Sequence, residues 1–145
     1  MFVRPAQDAD LPVLLRLYLQ FKPEAVMPSE PAVAAAWAAM KAREGLTVYV
    51  AEDAGVVAAT CTLVLVPNLT SGARPYALIE NVVTDAAHRR RGLGHAVLQA
   101  AIAAAWAAGC YKVMLLTGSK QESTLRFYRD AGFSQNKTGF QIRRD

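Results

Sequence analysis

Three consecutive arginines, Arg89, Arg90 and Arg91, run into Gly92-Leu93-Gly94, with an apolar strand-like segment before them and an alanine-rich helical segment after. Residues of these types in this order bind anions. Two glycines let backbone approach a ligand closely, the helix opening at Leu93 offers unpaired N–H groups and a positive dipole end, and three guanidinium groups stand beside it. A pyrophosphate fits such a turn. A Walker loop requires Lys and then Ser or Thr after its last glycine, but His95 and Ala96 follow Gly94, so that reading fails. A dinucleotide fingerprint requires a small residue where Val97 stands and opens the first strand-helix unit of a domain, whereas this run lies past mid-chain.

The turn needs elements to hold it. Phe2 to Arg4 reads as a short strand, and Asp8 or Asp10 caps a helix with Leu11, Leu14, Leu15 and Tyr18 on one face. After a loop from Lys22 to Pro28, Ser29 caps a second helix, with Pro31 in its first turn and an end near Gly45. Thr47 to Glu52 and Val56 to Val66 read as strands joined through Asp53-Ala54-Gly55, and the breaker-rich run Pro67 to Pro75 leads to the strand Ala77 to Thr84. The third helix, Leu93 to Ala108, stops at Gly109. A strand over Lys112 to Thr117, a helix over Glu122 to Ala131 ended by Gly132, and a last strand over Phe140 to Arg143 complete the chain. The helical crossover after Ala77 to Thr84 returns the chain in the same direction, so an otherwise antiparallel sheet gains one parallel pair.

Composition agrees with one small soluble domain over residues 1–145. Apolar residues make up 53% of the chain, ample for a single core. Val56 to Val66 and Leu93 to Ala108 are too short or too interrupted to span a bilayer, and the N-terminus lacks a signal-peptide layout, which predicts a cytoplasmic protein without a membrane partner. Cys61 and Cys110 have no Cys or His at metal spacing and read as buried thiols; no metal is implied. The net charge of +4 is concentrated in Arg89 to Arg91, which suits a small polyanion better than a nucleic-acid track. No recognition-helix signature or interleaved aromatics support nucleic-acid binding. Trp37 and Trp106 read as core, and His88 and His95 as partly exposed groups beside the turn.

The pattern Arg/Gln-x-x-Gly-x-Gly/Ala, met by Arg89, Gly92 and Gly94, resembles the coenzyme A signature of the GNAT acetyltransferase superfamily. The resemblance implies an α/β (α+β) fold: a mixed, mostly antiparallel sheet with helices on both faces and a splayed parallel strand pair that admits the pantetheine arm. It implies that the backbone of Val82, Val83 and Thr84 holds pantetheine and that the N–H groups of Arg90, Arg91, Gly92, Leu93, Gly94 and His95 surround the pyrophosphate, with Arg89 adding charge. Glu80 stands at the acidic strand position such enzymes use for substrate binding or as a base. Tyr128, in Phe127-Tyr128-Arg129-Asp130-Ala131-Gly132-Phe133, matches a segment whose tyrosine faces the thioester sulfur. A tyrosine is protonated at neutral pH and can donate to a departing thiolate.

The implied reaction is acetyl transfer from acetyl-CoA to a primary amine of a small molecule, by direct attack in a ternary complex. In the C-terminal half, Ile79-Glu80-Asn81-Val82-Val83, Gly109-Cys110-Tyr111-Lys112-Val113, Phe127-Tyr128 and Phe140-Gln141-Ile142-Arg143 look like glucosamine-6-phosphate N-acetyltransferases. In that family the strand glutamate contacts the amino sugar and the closing arginine, here Arg143, reaches the sugar phosphate across a homodimer interface. The chain departs from that family at Leu116-Thr117-Gly118-Ser119 and at Thr124. It also looks like small bacterial GNAT proteins through Pro67-Asn68-Leu69-Thr70 and Lys137-Thr138-Gly139-Phe140. A non-catalytic acyl-CoA-binding regulatory module would use the same cleft; the joint presence of Glu80 and Tyr128 favours the enzyme.

Overall fold

Valine and threonine make up most of Val56–Val66, and Tyr76–Thr84 carries Ile79, Val82, Val83 and Thr84; these runs form the two longest strands of the sheet. The computed structural model describes residues 1–144, the side chain of Phe21 excepted. Its elements run β1 (Phe2–Pro5), α1 (Leu11–Phe21), α2 (Glu30–Ala42), β2 (Leu46–Asp53), β3 (Val56–Val66), α3 (Thr70–Ala73), β4 (Tyr76–Thr84), α4 (Leu93–Ala107), β5 (Val113–Met114) and α5 (Glu122–Asp130). Short 3-10 turns at Asp8–Asp10 and Ala86–His88 join them. Strand order is β1-β2-β3-β4-β5, antiparallel except for the parallel β4–β5 pair, as the sequence predicts. Two compact units result: Met1–Leu115, which holds the whole sheet, and a second that begins at Leu116 and contains α5.

Helices cover both faces of this sheet. Val48 and Val50 of β2 pack with Leu14 of α1 and Trp37 of α2 in one buried cluster. On the other face Leu93, Val97, Leu98, Ala101 and Ala105 form one buried stripe of α4. The Cys61 thiol donates to the Val97 carbonyl at 3.4 Å there. Burial on both sides leaves β3 with an unbroken buried run from Ala58 to Leu63 rather than an alternating one. Burial also pushes the Cys61 thiol up to about 12, so it is an inert core group. Among the described residues no helix is long and apolar enough to cross a membrane.

Three expectations are corrected. Trp106 is 52% exposed, because it lies one residue past Ala105 and so about 100° round the helix from the buried stripe. The strand expected over Lys112 to Thr117 is reduced to Val113–Met114. β4 carries a bulge just beyond its two β5 pairs, and the added twist carries it away from the line β5 would follow. Phe140 to Arg143 is not a strand: no strand pairs with it among the described residues, and Phe140 and Ile142 are 91% and 98% exposed. A lone extended segment has nothing to satisfy its ladder. The Pro67 to Pro75 run contains α3, a single turn in which Ser71 and Gly72 adopt left-handed φ of 55° and 72°.

Polar contacts fix the N-terminal elements. Arg4 donates to Asp10 through Nη1 at 2.6 Å and Nη2 at 3.0 Å and to Glu52 through Nε at 2.8 Å, so one guanidinium ties β1 to β2 and to the start of α1. Asp10 also accepts the Gln7 N–H at 2.7 Å, capping the turn that leads into α1. Arg4, first, and the Gln7 N–H hold the Asp10 carboxyl below its usual value against the opposing effect of burial. A carboxyl depressed on folding contributes stability that is complete above its unfolded value near 3.8 and is lost as pH falls through the lower folded value. Asp10→Ala is therefore expected to cost about 2 kcal/mol at pH 7, and to remove part of the stability loss that wild type shows below about pH 4. Thermal unfolding between pH 3 and pH 7 checks both; equal melting temperatures at pH 7 contradict the anchoring role of Asp10.

Candidate active site

The glycine turn sits where the sequence puts it, at the mouth of α4. Gly92 is the N-cap residue with φ 81°, a left-handed conformation that glycine adopts without a Cβ penalty, and Arg90 is left-handed as well at φ 60°. No side chain caps α4, and its first ladder bond runs from Ala96 N–H to the Gly92 carbonyl at 2.9 Å. The N–H groups at the helix start are thereby left to an outside acceptor. His95 is exposed and Gly94 is buried within the first turn.

The three arginines are not equivalent. Arg91 Nη2 pairs with Asp53 Oδ2 at 2.7 Å, which ties the turn to the β2–β3 hairpin. Arg89 Nε reaches the Thr84 carbonyl at 3.5 Å, the outer limit of a hydrogen bond, and Arg89 and Arg90 are both exposed. Arg89 and Arg90 thus leave their guanidinium groups open to solvent beside the helix start, while Arg91 is engaged by Asp53.

Between β4 and β5 the sheet opens. Their pairing consists of Ala77 with Val113 and Leu78 with Met114, so from Ile79 to Thr84 the outer edge of β4 has no strand partner among the described residues. Val82, Val83 and Thr84 lie on this free edge and lead to the arginine turn. Backbone donors and acceptors require partners, and an extended ligand arm with amide groups supplies them in the manner of an added strand. The residues thus fit coenzyme A: an amide-bearing arm along β4 and a pyrophosphate at the uncapped start of α4.

Across the bulge the faces of β4 change. Thr62 pairs with Glu80 and Thr60 with Val83, so three steps on β4 match two on β3, and Asn81 takes φ 52°. Glu80 projects from the α1 face, the face shared by Thr62 and Val50, and is exposed. Periodicity does not reveal this bulge; its one signal is Asn81, a residue type that tolerates left-handed geometry better than most.

Sequence reading also misses what holds the chain between β4 and the turn. Gln20 at the end of α1 donates to Asp85 Oδ1 at 2.8 Å and accepts the Ala86 N–H at 2.9 Å, and the other Asp85 oxygen pairs with His88 Nδ1. The Gln20 amide, then His88, hold the Asp85 carboxyl below its usual range. Gln20 and Asp85 are far apart in sequence, and no local pattern links them. Among the described residues no group of three His, Cys, Asp or Glu is placed to hold a metal ion.

The second unit carries Tyr128 on α5. Its ring meets Phe127 edge-on at 5.0 Å and Phe133 at 6.3 Å, and the helix ends as expected, with Gly132 at φ 100° and Phe133 N–H on the Tyr128 carbonyl at 3.1 Å. Packing between two aromatic rings limits the directions in which the phenol can point. Thr124, one turn earlier, shares a hydrogen bond of 3.1 Å with Ser119. Arg143 lies in the exposed C-terminal segment.

Known proteins share this arrangement. A protein of Agrobacterium tumefaciens str. C58, described as a candidate acetyltransferase, superposes with a TM-score of 0.95 at 51% identity, over 99% of this chain and 100% of that one. The structure of a transcriptional regulator from Bacillus halodurans C-125 superposes at 0.89 with 25% identity, over 98% of each chain. A glucosamine 6-phosphate N-acetyltransferase of Trypanosoma brucei brucei is 33% identical over 96 residues, which is 65% of this chain and 63% of that relative, so the match spans less than two thirds of its length. The model of the acetyltransferase (GNAT) family matches residues 11–133, from the first residue of α1 to Phe133 just past α5, and the chain belongs to that family.

Proposed function

We propose that the protein transfers an acetyl group from acetyl-CoA to a primary amine of a small molecule, by direct attack within a ternary complex, with residues 1–145 acting as one catalytic domain. The observation that carries this reading is the unpaired edge of β4 leading into an uncapped helix start flanked by Arg89 and Arg90. The backbone of Val82, Val83 and Thr84 would hold the pantetheine arm, and the N–H groups from Arg90 to His95 the pyrophosphate, with Arg89 beside it. Acetyl-CoA, when bound, supplies an activated acyl carbonyl.

Glu80 binds the acceptor amine and takes its proton, directly or through a water, since only the neutral amine has a lone pair to attack with. Exposure on the α1 face leaves its carboxylate open to an incoming amine. Tyr128 gives its phenol proton to the departing sulfur as the new C–N bond replaces the C–S bond. The relative from Trypanosoma brucei brucei supports an amino sugar phosphate as acceptor, with Arg143 as the cation for its phosphate. The exposed side chains of Phe140 and Ile142 beside Arg143 support a homodimer that covers this segment. A non-catalytic acyl-CoA-binding regulator is the alternative, favoured by the likeness to the Bacillus halodurans protein.

Coenzyme A release, followed with a thiol-reactive dye across a panel of amines that includes glucosamine 6-phosphate, tests the reading. Amine-dependent release that falls by about a hundredfold in Glu80→Gln is the expected result; tight acetyl-CoA binding with no release for any amine would favour the regulator. Tyr128→Phe is expected to lower kcat by a similar factor while leaving the acetyl-CoA dissociation constant nearly unchanged. Wild-type turnover in that variant at every pH contradicts the proton-donor role. Gly94→Leu should weaken acetyl-CoA binding at least tenfold by filling the first turn of α4, which calorimetric titration would read directly.

A further inference from the structure

Two buried hydroxyls on the Glu80 face have no partner. Thr62 is 4% exposed, and among the described residues its Oγ1 has no hydrogen-bond partner; the buried Tyr18 Oη likewise has none there. Thr60, two residues earlier on the same face, donates to the Tyr49 carbonyl at 2.8 Å, so threonine hydroxyls in this strand can be satisfied by backbone. Burial raises the Tyr18 pKa, and the Thr62 and Thr60 hydroxyls lie near enough to oppose that shift, yet neither meets the phenol with the geometry of a hydrogen bond. An orphaned buried hydroxyl costs about 1–3 kcal/mol, and a pair of them calls for a reason.

The register supplies one. Thr62 is the cross-strand partner of Glu80, which places their Cβ atoms about 5 Å apart on one face of the sheet. Glu80 is the one carboxylate on β3, β4 and α1 together. The other titratable groups on these three elements are Arg16 and Tyr18 on α1, Cys61 on β3 and Tyr76 on β4; the Cys61 thiol is turned to Val97 on the opposite face, and Tyr76 shares the Glu80 face four residues earlier, with Lys112 Nζ 5.4 Å from its ring. The described structure records no hydrogen bond to Glu80, which stands exposed. One unsatisfied donor, Thr62, therefore lies across the strand pair from a carboxylate exposed to solvent, and the second, Tyr18 Oη, lies close to Thr62.

We propose that Thr62 and Tyr18 are positioning residues of the acyl-transfer site, whose hydroxyls receive the Glu80 carboxylate when an amine occupies the cleft. This rests on the proposed role of Glu80. In the free protein the carboxylate stays in water and the hydroxyls wait unpaired; acceptor binding excludes that water and turns the carboxylate inward, where two O–H groups fix its direction toward the amine. Donation to a carboxylate favours its charged form, so the pair also keeps Glu80 able to accept a proton inside a partly dry cleft. The unpaired state is offset only when acceptor is bound, so the arrangement serves kcat more than the resting fold.

The test is Thr62→Val, which keeps the side-chain shape and deletes the hydroxyl, with Tyr18→Phe and Thr62→Ser beside it and Glu80→Gln as control. Thr62→Val is expected to melt at or above the wild-type temperature, because it removes an orphaned group. Its kcat should nevertheless fall about tenfold, and the acidic limb of the kcat profile should move to higher pH while the limb of kcat/KM, which reports the free enzyme, stays in place. Tyr18→Phe should act in the same direction, and Thr62→Ser should restore rate and limb. Wild-type kcat and limb in Thr62→Val and Tyr18→Phe, with Glu80→Gln inactive, overturn the inference alone, as does a fall in kcat without movement of the limb. Full activity in Glu80→Gln overturns the reading of Glu80 and this inference with it.

Discussion

Every backbone amide and carbonyl removed from water needs a partner, and the architecture of this protein is organised around a place where the chain declines to provide one. β4 lies beside β3 along its length, but its other edge is covered by β5 only at Ala77 and Leu78. The strand then runs uncovered toward a helix whose N-cap is a glycine without a side chain. Both features leave polar backbone groups open along one continuous path, and both are ligand-shaped in the same sense: amide partners first, then an anion.

The remainder of the first unit keeps that path open against collapse. α4 presses a stripe containing Ala101 and Ala105 onto the sheet, so the helix lies close and its first turn is held by buried Leu93, Val97 and Leu98. Arg91 with Asp53, and Gln20 with Asp85 and Ala86, fasten the two ends of the turn to different elements. The α1 side is fastened separately, through Arg4, Asp10 and Glu52, and through Asp8, which accepts from Trp37 Nε1 at 2.8 Å and from Lys41 Nζ at 2.6 Å. The α1 side and the glycine-turn side thus share the sheet but have distinct anchors, with Gln20 as the link between them.

Much of this is legible in the chain because it depends on local chemistry. The helix start at Leu93, the strand Val56–Val66, the Ser29 cap and the stop at Gly132 follow from turn residues, branched side chains and capping groups, and each falls where it is expected. Ser29 accepts the Ala32 N–H at 3.4 Å. The family resemblance rests on residues of the same kind. What escapes is set by partners distant in sequence. The bulge at Asn81 exists only relative to β3, and the shortness of β5 is a consequence of that bulge. The pairing of Arg91 with Asp53 likewise joins residues that no local pattern links. Trp106 reads as core because its size outweighs the signal of His95 and Gln99, which lie 11 and 7 residues earlier on the same exposed side of an otherwise alanine-rich helix.

The bulge in β4 makes this strand a poor place for length variation. Upstream of Asn81, residues of one parity face α1 and include Glu80; downstream, the opposite parity faces α1, beginning with Val83. A single inserted or deleted residue between Glu80 and Val83 would reverse one half of the strand against the other, moving either the Glu80 carboxylate or the side chains from Val83 onward to the wrong side. Loops outside the sheet carry no such constraint, whereas the spacing from Glu80 to Val83 behaves as a ruler.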